Sequence, residues 1–237
     1  MELKDFFQDA DMILVGIGEN FQDKFEGIDV DDEKNVTVLE DYARKKYLDN
    51  APKSEVTEAY DKLAKMLEGK NYFVVTLCTD DKIYRSNIKA DRIVAPCGSY
   101  SYLQCEEVCT EDIYSIEEYK DILDKGEEPR CPKCGKKLVM NRFGVKKYSE
   151  EGYLKKWNIY MKWLQGSLNK NIRILELGVG MKYPSVIRWL FERVTLINNK
   201  AKFIRVHKQL FQLTEDIRDK GVSIEENPID FLRNQIV

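Results

Sequence analysis

Apolar positions along this chain fall into two patterns. The first is the short uninterrupted run. Residues 11–17 read DMILVGI and lead into Gly18; residues 72–77 read YFVVTL; residues 91–95 read DRIVA ahead of Pro96-Cys97-Gly98. Residues 172–177 read IRILEL ahead of Gly178-Val179-Gly180, and 203–206 read FIRV. Runs this short, without polar alternation, predict strands covered on both faces. The second pattern is the one-sided stripe. Val56, Ala59, Tyr60, Leu63 and Leu67 recur at helical spacing behind Pro52-Lys53-Ser54, and Gly69 stands where a glycine cap ends a helix. Trp157, Tyr160, Met161 and Leu164 share one face of a helix over 153–164. Further helices are expected over 36–48, 185–197 and 228–236, a last strand over 222–224, and a charged loop over 29–34.

Strands that alternate with helices imply crossover connections, hence a mainly parallel sheet with helices on both faces. The expected fold class is therefore α/β, a Rossmann-type three-layer arrangement. Its 237 residues, 43% hydrophobic and 33% charged, suit one large domain or a core with a small insert. No stretch approaches the roughly 20 consecutive apolar residues of a membrane span. The acidic beginning lacks the basic and apolar regions of a secretion signal, so a cytoplasmic location is expected. A net charge of −3 with scattered lysines argues against nucleic acid as a partner.

Between residues 105 and 134 the texture turns polar and acidic, and cysteines bracket it. Cys105 and Cys109 form one pair; Cys131 and Cys134, followed by Gly135, form the other. Two close thiolate pairs can converge tetrahedrally on Zn²⁺, and Pro132 and Gly135 are turn residues where a zinc knuckle needs them. Four protein ligands leave no open position, so the metal is expected to be structural. The expected domains are a core of 1–104 and 141–237 and a zinc module of 105–140.

The two glycine pairs at strand ends, Gly16-Ile17-Gly18 and Gly178-Val179-Gly180, invite a second reading. Glycine lets a phosphate approach the backbone, and ligands of open parallel sheets lie beyond the carboxyl ends of strands. Two ordinary tight turns would leave the same residues.

Taken in order, these features resemble the sirtuin family of NAD-dependent protein deacylases and ADP-ribosyltransferases. Gly16-Ile17-Gly18 matches that family's Gly-Ala-Gly. Thr76-Leu77-Cys78-Thr79-Asp80 matches Thr-Gln-Asn-Ile-Asp, and Cys97-Gly98-Ser99 matches His-Gly-Ser. The Cys-Pro-Lys-Cys-Gly turn, Phe143-Gly144 and the run ILELGVG follow in the family's order. The resemblance implies a sirtuin-like fold, NAD as cofactor alongside structural Zn²⁺, and a protein substrate or partner. It implies cofactor contacts at Gly16, Ile17, Gly18, Glu19, Asn20, Thr76, Cys78, Gly178, Val179, Gly180 and His207. Cys97 and Asp80 fall at positions for catalysis.

The departures bear on activity. Cys97 replaces the family's general-base histidine, Cys78 its asparagine, Asn20 a serine, and His207 the asparagine that ends a core strand. A thiol of ordinary pKa is a poorer base at neutral pH than imidazole. An acidic Glu19 suits a pyrophosphate badly. Cys78 and Cys97 read either as small buried thiols beneath a nucleotide site or as a redox-sensitive pair. Two functions follow from the resemblance. One is an NAD-dependent transferase acting on a protein side chain, by ADP-ribosyl transfer or by deacylation with nicotinamide release. The other is a catalytically inactive NAD- or ADP-ribose-sensing or partner-binding module on the same scaffold.

Overall fold

The structure is a computed structural model that describes residues 2–22 and 36–236; the loop expected over 29–34 lies outside the described residues. The strands are β1 (Met12–Ile17), β2 (Tyr72–Thr76), β3 (Ile93–Val94), β4 (Gly98–Cys105), β5 (Tyr114–Ser115), β6 (Leu138–Arg142), β7 (Ile172–Leu177), β8 (Lys202–Val206) and β9 (Gly221–Ile224). The helices are α1 (Leu3–Phe7), α2 (Val38–Asn50), α3 (Glu55–Leu67), α4 (Lys120–Asp124), α5 (Glu151–Gln165), α6 (Arg188–Ile197) and α7 (Pro228–Arg233).

Among the described residues, six strands form one parallel sheet in the order β3-β2-β1-β7-β8-β9. Successive side chains of a strand point to opposite faces, so a strand apolar throughout needs a cover on each. Ile13, Val15 and Ile17 of β1 pack with Val56, Tyr60 and Leu63 of α3 and Phe231 of α7. Met12 and Leu14 pack on the other face with Tyr160 and Leu164 of α5 and Phe191 of α6. The three-layer arrangement expected from the unbroken runs is the one observed.

Local chemistry sets the helix ends. Thr37 caps α2, accepting from the Glu40 N–H while the Glu40 carboxylate accepts from the Thr37 N–H, so the helix starts at Val38. Ser54 opens α3 through Thr57, and Gly69 lies at φ +70° just past its end. The helix expected over 185–197 starts only at Arg188, and that over 228–236 stops at Arg233.

Residues 98–142 supply a second sheet, antiparallel, in the order β5-β4-β6. Its cluster includes Tyr100, Leu103, Ile116, Leu138 and Met140, and also Val38, Tyr42 and Leu48 from α2. Thus α2, which precedes the large sheet's second strand in sequence, packs on the small sheet. A buried bidentate ion pair, Arg142 to Asp41 at 2.9 and 3.0 Å, fixes this docking. The long strand β4 and its partner β6 were not expected from the sequence. Their Gly, Ser, Gln and Asn content hides the period of two.

Candidate functional site

The chain runs outward from β1 through β2 to β3 on one side, and from β7 through β8 to β9 on the other. The neighbours β1 and β7 therefore flank the topological switch point, where an open parallel sheet leaves a crevice at its carboxyl edge. Both glycine turns lie there. Gly18 donates its N–H to the Leu177 carbonyl at 2.8 Å. A Cβ placed on Gly18 would stand 2.1 Å from the Gly178 carbonyl oxygen and 2.3 Å from Val179 Cα. Gly18 is required by the contact between the two turns, before any ligand is considered. Gly178 adopts φ +63°, a left-handed conformation that glycine takes without strain. Gly16 differs: its missing Cβ makes room for Ile187 and Phe191 of the α6 region, so it serves packing.

After Gly18 the chain enters a short 3₁₀ turn, Glu19–Phe21. Glu19 lays one carboxylate oxygen against Gly180, where a Cβ would come within 2.2 Å of Oε1. Asn20 reaches across the crevice to His207 at the end of β8, with its amide nitrogen 3.2 Å from Nε2. His207 Nδ1 accepts the backbone N–H groups of Gln209 and Leu210, both at 2.9 Å. Burial, and then the Arg188 charge, hold the His207 pKa below its ordinary value. The structure thus brings Gly18, Glu19, Asn20, Gly178, Val179, Gly180 and His207 to one edge, while Ile17 and Thr76 are wholly buried.

The loop after β2 lies beside them. Cys78 is buried, and its thiol donates to the Gly18 carbonyl at 3.3 Å. Burial, and then the Asp80 charge, push the Cys78 thiol far up, so it stays protonated at neutral pH. The buried Asp80 accepts the Lys82 N–H through Oδ1 at 3.2 Å. Gln22, next after the 3₁₀ turn, bonds both the hydroxyl and the N–H of Thr79, tying the first loop to the second. Cys97 is only 2% exposed, and its carbonyl accepts the Phe143 N–H. The two extra cysteines are both buried but belong to different clusters, Cys78 with the α3 side of the sheet and Cys97 with the α5 side.

Two further groups stand at the site, and neither carries a sequence motif. Asp81 sits at φ +59°, and its Oδ2 accepts the hydroxyls of Ser99 and Ser101, each at 2.6 Å. Burial raises its pKa, and the two hydroxyls pull against that rise. This carboxylate fastens the loop after β2 to the start of β4. The second group lies under α6. Glu176 of β7 is fully buried and receives Arg205 of β8 at 2.7 and 3.0 Å, with Arg188 3.2 Å away. Arg205 also bonds Glu192 and the Gln212 carbonyl, and Arg188 reaches the carbonyls of Val179 and Leu210. The network anchors the 178–180 turn and the stretch after His207 to the sheet. Charges inside two otherwise apolar runs, Arg173 and Glu176 in IRILEL and Arg205 in FIRV, are the readable signal. A charge in a buried strand acquires a role only when its partner on the neighbouring strand is known.

The cysteines of the insert converge. Their four Sγ atoms lie within 4.8 Å of one another, with Cys105–Cys134 at 3.5 Å and Cys109–Cys131 at 3.6 Å. Zn–S bonds of about 2.3 Å in a tetrahedron put sulfurs about 3.8 Å apart, so the set fits zinc. Val108 at φ +51° and Gly135 at φ +72° turn the two knuckles. Burial opposes ionisation of Cys131, but the N–H groups of Cys134 and Lys133 bring its pKa down to about 7.

No protein-family model matches the chain. Among curated proteins it is similar to a protein ADP-ribosyltransferase of Staphylococcus aureus, at 23% identity over 73% of this chain. It is also similar to a probable bifunctional ADP-ribose hydrolase/ADP-ribosyltransferase of Fusarium oxysporum f. sp. cubense, at 28% identity over 58% of this chain. The chain spans only 58% and 26% of the lengths of these relatives. Among solved structures it is similar to a Sir2 bound to acetylated peptide, with TM-score 0.66, 16% identity, and coverage of 98% of this chain and 96% of that one. A Sir2 complex with a p53 peptide and NAD⁺ gives TM-score 0.64 at 17% identity, covering 98% and 94%. A structure on sirtuin substrate affinity gives 0.65 at 17% identity, covering 98% and 95%. The parallel sheet with its switch point between β1 and β7, the small antiparallel sheet with its cysteine cluster, and these likenesses over nearly the whole chain lead to one conclusion: the chain has the sirtuin fold.

Proposed function

We propose that the chain is an NAD-dependent transferase that moves an ADP-ribosyl group onto a protein side chain. The observation that carries this is the meeting of two glycine turns at the switch point of a sirtuin fold. The small residues of the two turns suit a dinucleotide, with Gly18, Glu19, Asn20, Gly178, Val179, Gly180 and His207 at its edge and Gly16, Ile17, Thr76 and Cys78 supporting from below. When bound, NAD supplies an activated ribose carbon through loss of nicotinamide. The names of the curated relatives support ADP-ribosyl transfer as the branch taken.

The thiols bear on which transfer is possible. Cys78 is held neutral by burial, and Cys97 is also buried. A thiol is a poorer base at neutral pH than the histidine a deacylase uses, so ADP-ribosyl transfer to an acceptor that is itself a good nucleophile fits better than deacylation. The same burial favours one second reading, a module that binds NAD or ADP-ribose without turning it over. Asp80 and Cys97 remain the proposed catalytic positions. We further propose that Cys105, Cys109, Cys131 and Cys134 hold one structural Zn²⁺, and that 105–140 forms its module against a core of 1–104 and 141–237.

Nicotinamide release from NAD tests the reading. Wild type is incubated alone, with an acetyl-lysine peptide, and with an extract of acceptor proteins. Expected are little release with the acetyl peptide and labelled protein from ³²P-NAD with the extract. Cys97→Ala should leave NAD binding within about threefold. Tight NAD binding with no release under any condition selects the sensing module. Rapid deacetylation by both wild type and Cys97→Ala refutes the assignment of Cys97.

A further inference from the structure

Helix α6 covers the sheet with only one side. Phe191 and Thr195 are buried there, and Arg188 turns inward to the Val179 carbonyl. The opposite side carries Trp189, Arg193, Leu196 and Ile197, spaced as neighbours along a helix about 15 Å long. Trp189, Leu196 and Ile197 are 55, 47 and 58% exposed. One exposed apolar side chain is ordinary, but three along one helix face mark an interaction surface.

The charge around this stripe has one sign. Residues 181–210 hold seven lysines and arginines and a single acid, Glu192, in a chain of net charge −3. Glu192 is spent on Arg205 at 2.8 Å. Arg193, Lys200 and Lys202 are exposed and form no ion pair among the described residues. The stripe also starts at the candidate site. Trp189 follows Arg188, which bonds Val179 of the glycine turn, and the Trp189 N–H donates to the Pro184 carbonyl at 2.9 Å. A body resting on α6 therefore stands beside the carboxyl edge of the sheet.

We infer that the outer face of α6 is the docking surface for the acceptor protein, and that the acceptor meets it with an acidic surface bearing apolar side chains. The bases select an acidic partner, and the apolar stripe holds it by excluding water from the contact. The inference rests on the proposed transfer to a protein side chain and adds the class of protein. An anionic membrane or a nucleic acid would meet the same charge, but neither brings a side-chain nucleophile to the crevice.

The test is fluorescence anisotropy with two labelled peptides of equal apolar content, one rich in Asp and Glu, the other in Lys. Wild type should bind the acidic peptide about tenfold more tightly than the basic one, and salt should narrow the gap. Arg193→Glu/Lys200→Glu should abolish the preference, and Trp189→Ser/Ile197→Ser should weaken the acidic peptide about tenfold. Both double variants should keep the wild-type melting temperature and NAD affinity within about twofold, because the changed side chains are exposed. With ³²P-NAD and a cell extract split into acidic and basic proteins, label should concentrate in the acidic fraction and fall with Arg193→Glu/Lys200→Glu. Equal binding of the two peptides, or acidic-peptide binding unchanged in both variants, overturns the inference. So does binding to anionic vesicles or DNA that the variants abolish while peptide binding stays, and so does self-association of the pure protein that Trp189→Ser/Ile197→Ser abolishes. Wild type that prefers the acidic peptide yet labels no protein would overturn the transferase reading, and with it the acceptor role given to α6.

Discussion

Replacing Glu176 by Gln should unfold the protein at markedly lower temperature. Glu176 is wholly buried between two guanidiniums, Arg205 at 1% and Arg188 at 9% side-chain exposure. Burial pushes its carboxyl up, and the guanidiniums pull it back. An amide of the same shape keeps the packing and cancels the charge, leaving two buried cations to share Glu192. Removing one partner of a buried ion pair costs about 3–5 kcal/mol. Glu192 still neutralises part of Arg205 at 2.8 Å, which argues for the lower end. For a domain of this size each kcal/mol moves the midpoint about 2–4 °C, so the fall should be roughly 6–20 °C. The assay is thermal and urea unfolding of wild type, Glu176→Gln and the double variant Glu176→Gln/Arg205→Met. The double variant should recover most of the loss, because it removes one stranded cation. A fall under about 2 °C for Glu176→Gln, or a double variant worse than the single, would refute the charge argument.

Two further outcomes follow from the geometry. Metal analysis should find about one zinc per chain, and Cys131→Ser should lower the melting temperature without selectively changing nucleotide affinity; a metal-free protein melting cooperatively at the wild-type temperature would exclude a structural metal. Gly18→Ala should destabilise by about 1–3 kcal/mol in urea unfolding, because its Cβ meets backbone at 2.1 Å, whereas Gly180→Ala, whose Cβ meets only the movable end of Glu19, should cost less than half as much.

The sequence alone determined the layered core. Unbroken apolar runs such as MILVGI and YFVVT can only be strands covered twice, and the stripe from Val56 to Leu67 can only bury one helix face. The cysteine spacing was also legible, because a zinc knuckle is a local turn whose ligands lie a few residues apart. What sequence could not reach were facts of position between distant segments. The glycines of the first turn read as room for phosphate, but only the tertiary structure brought the Gly178 carbonyl against Gly18 and so gave that glycine a packing reason. Helix α2 looked like part of the large core, yet Asp41 needed Arg142, 101 residues away, to fix it on the small sheet. Glu176 and Arg205 became a pair only when parallel β7 and β8 aligned in register. Strands β4 and β6 escaped notice because their polar residues are satisfied across the sheet, as Asn141 is by Gln104 and the Ser149 carbonyl. Local pattern reports what a segment buries; which polar groups meet inside is decided by topology, because partners far apart in the chain are joined only when the sheet is assembled.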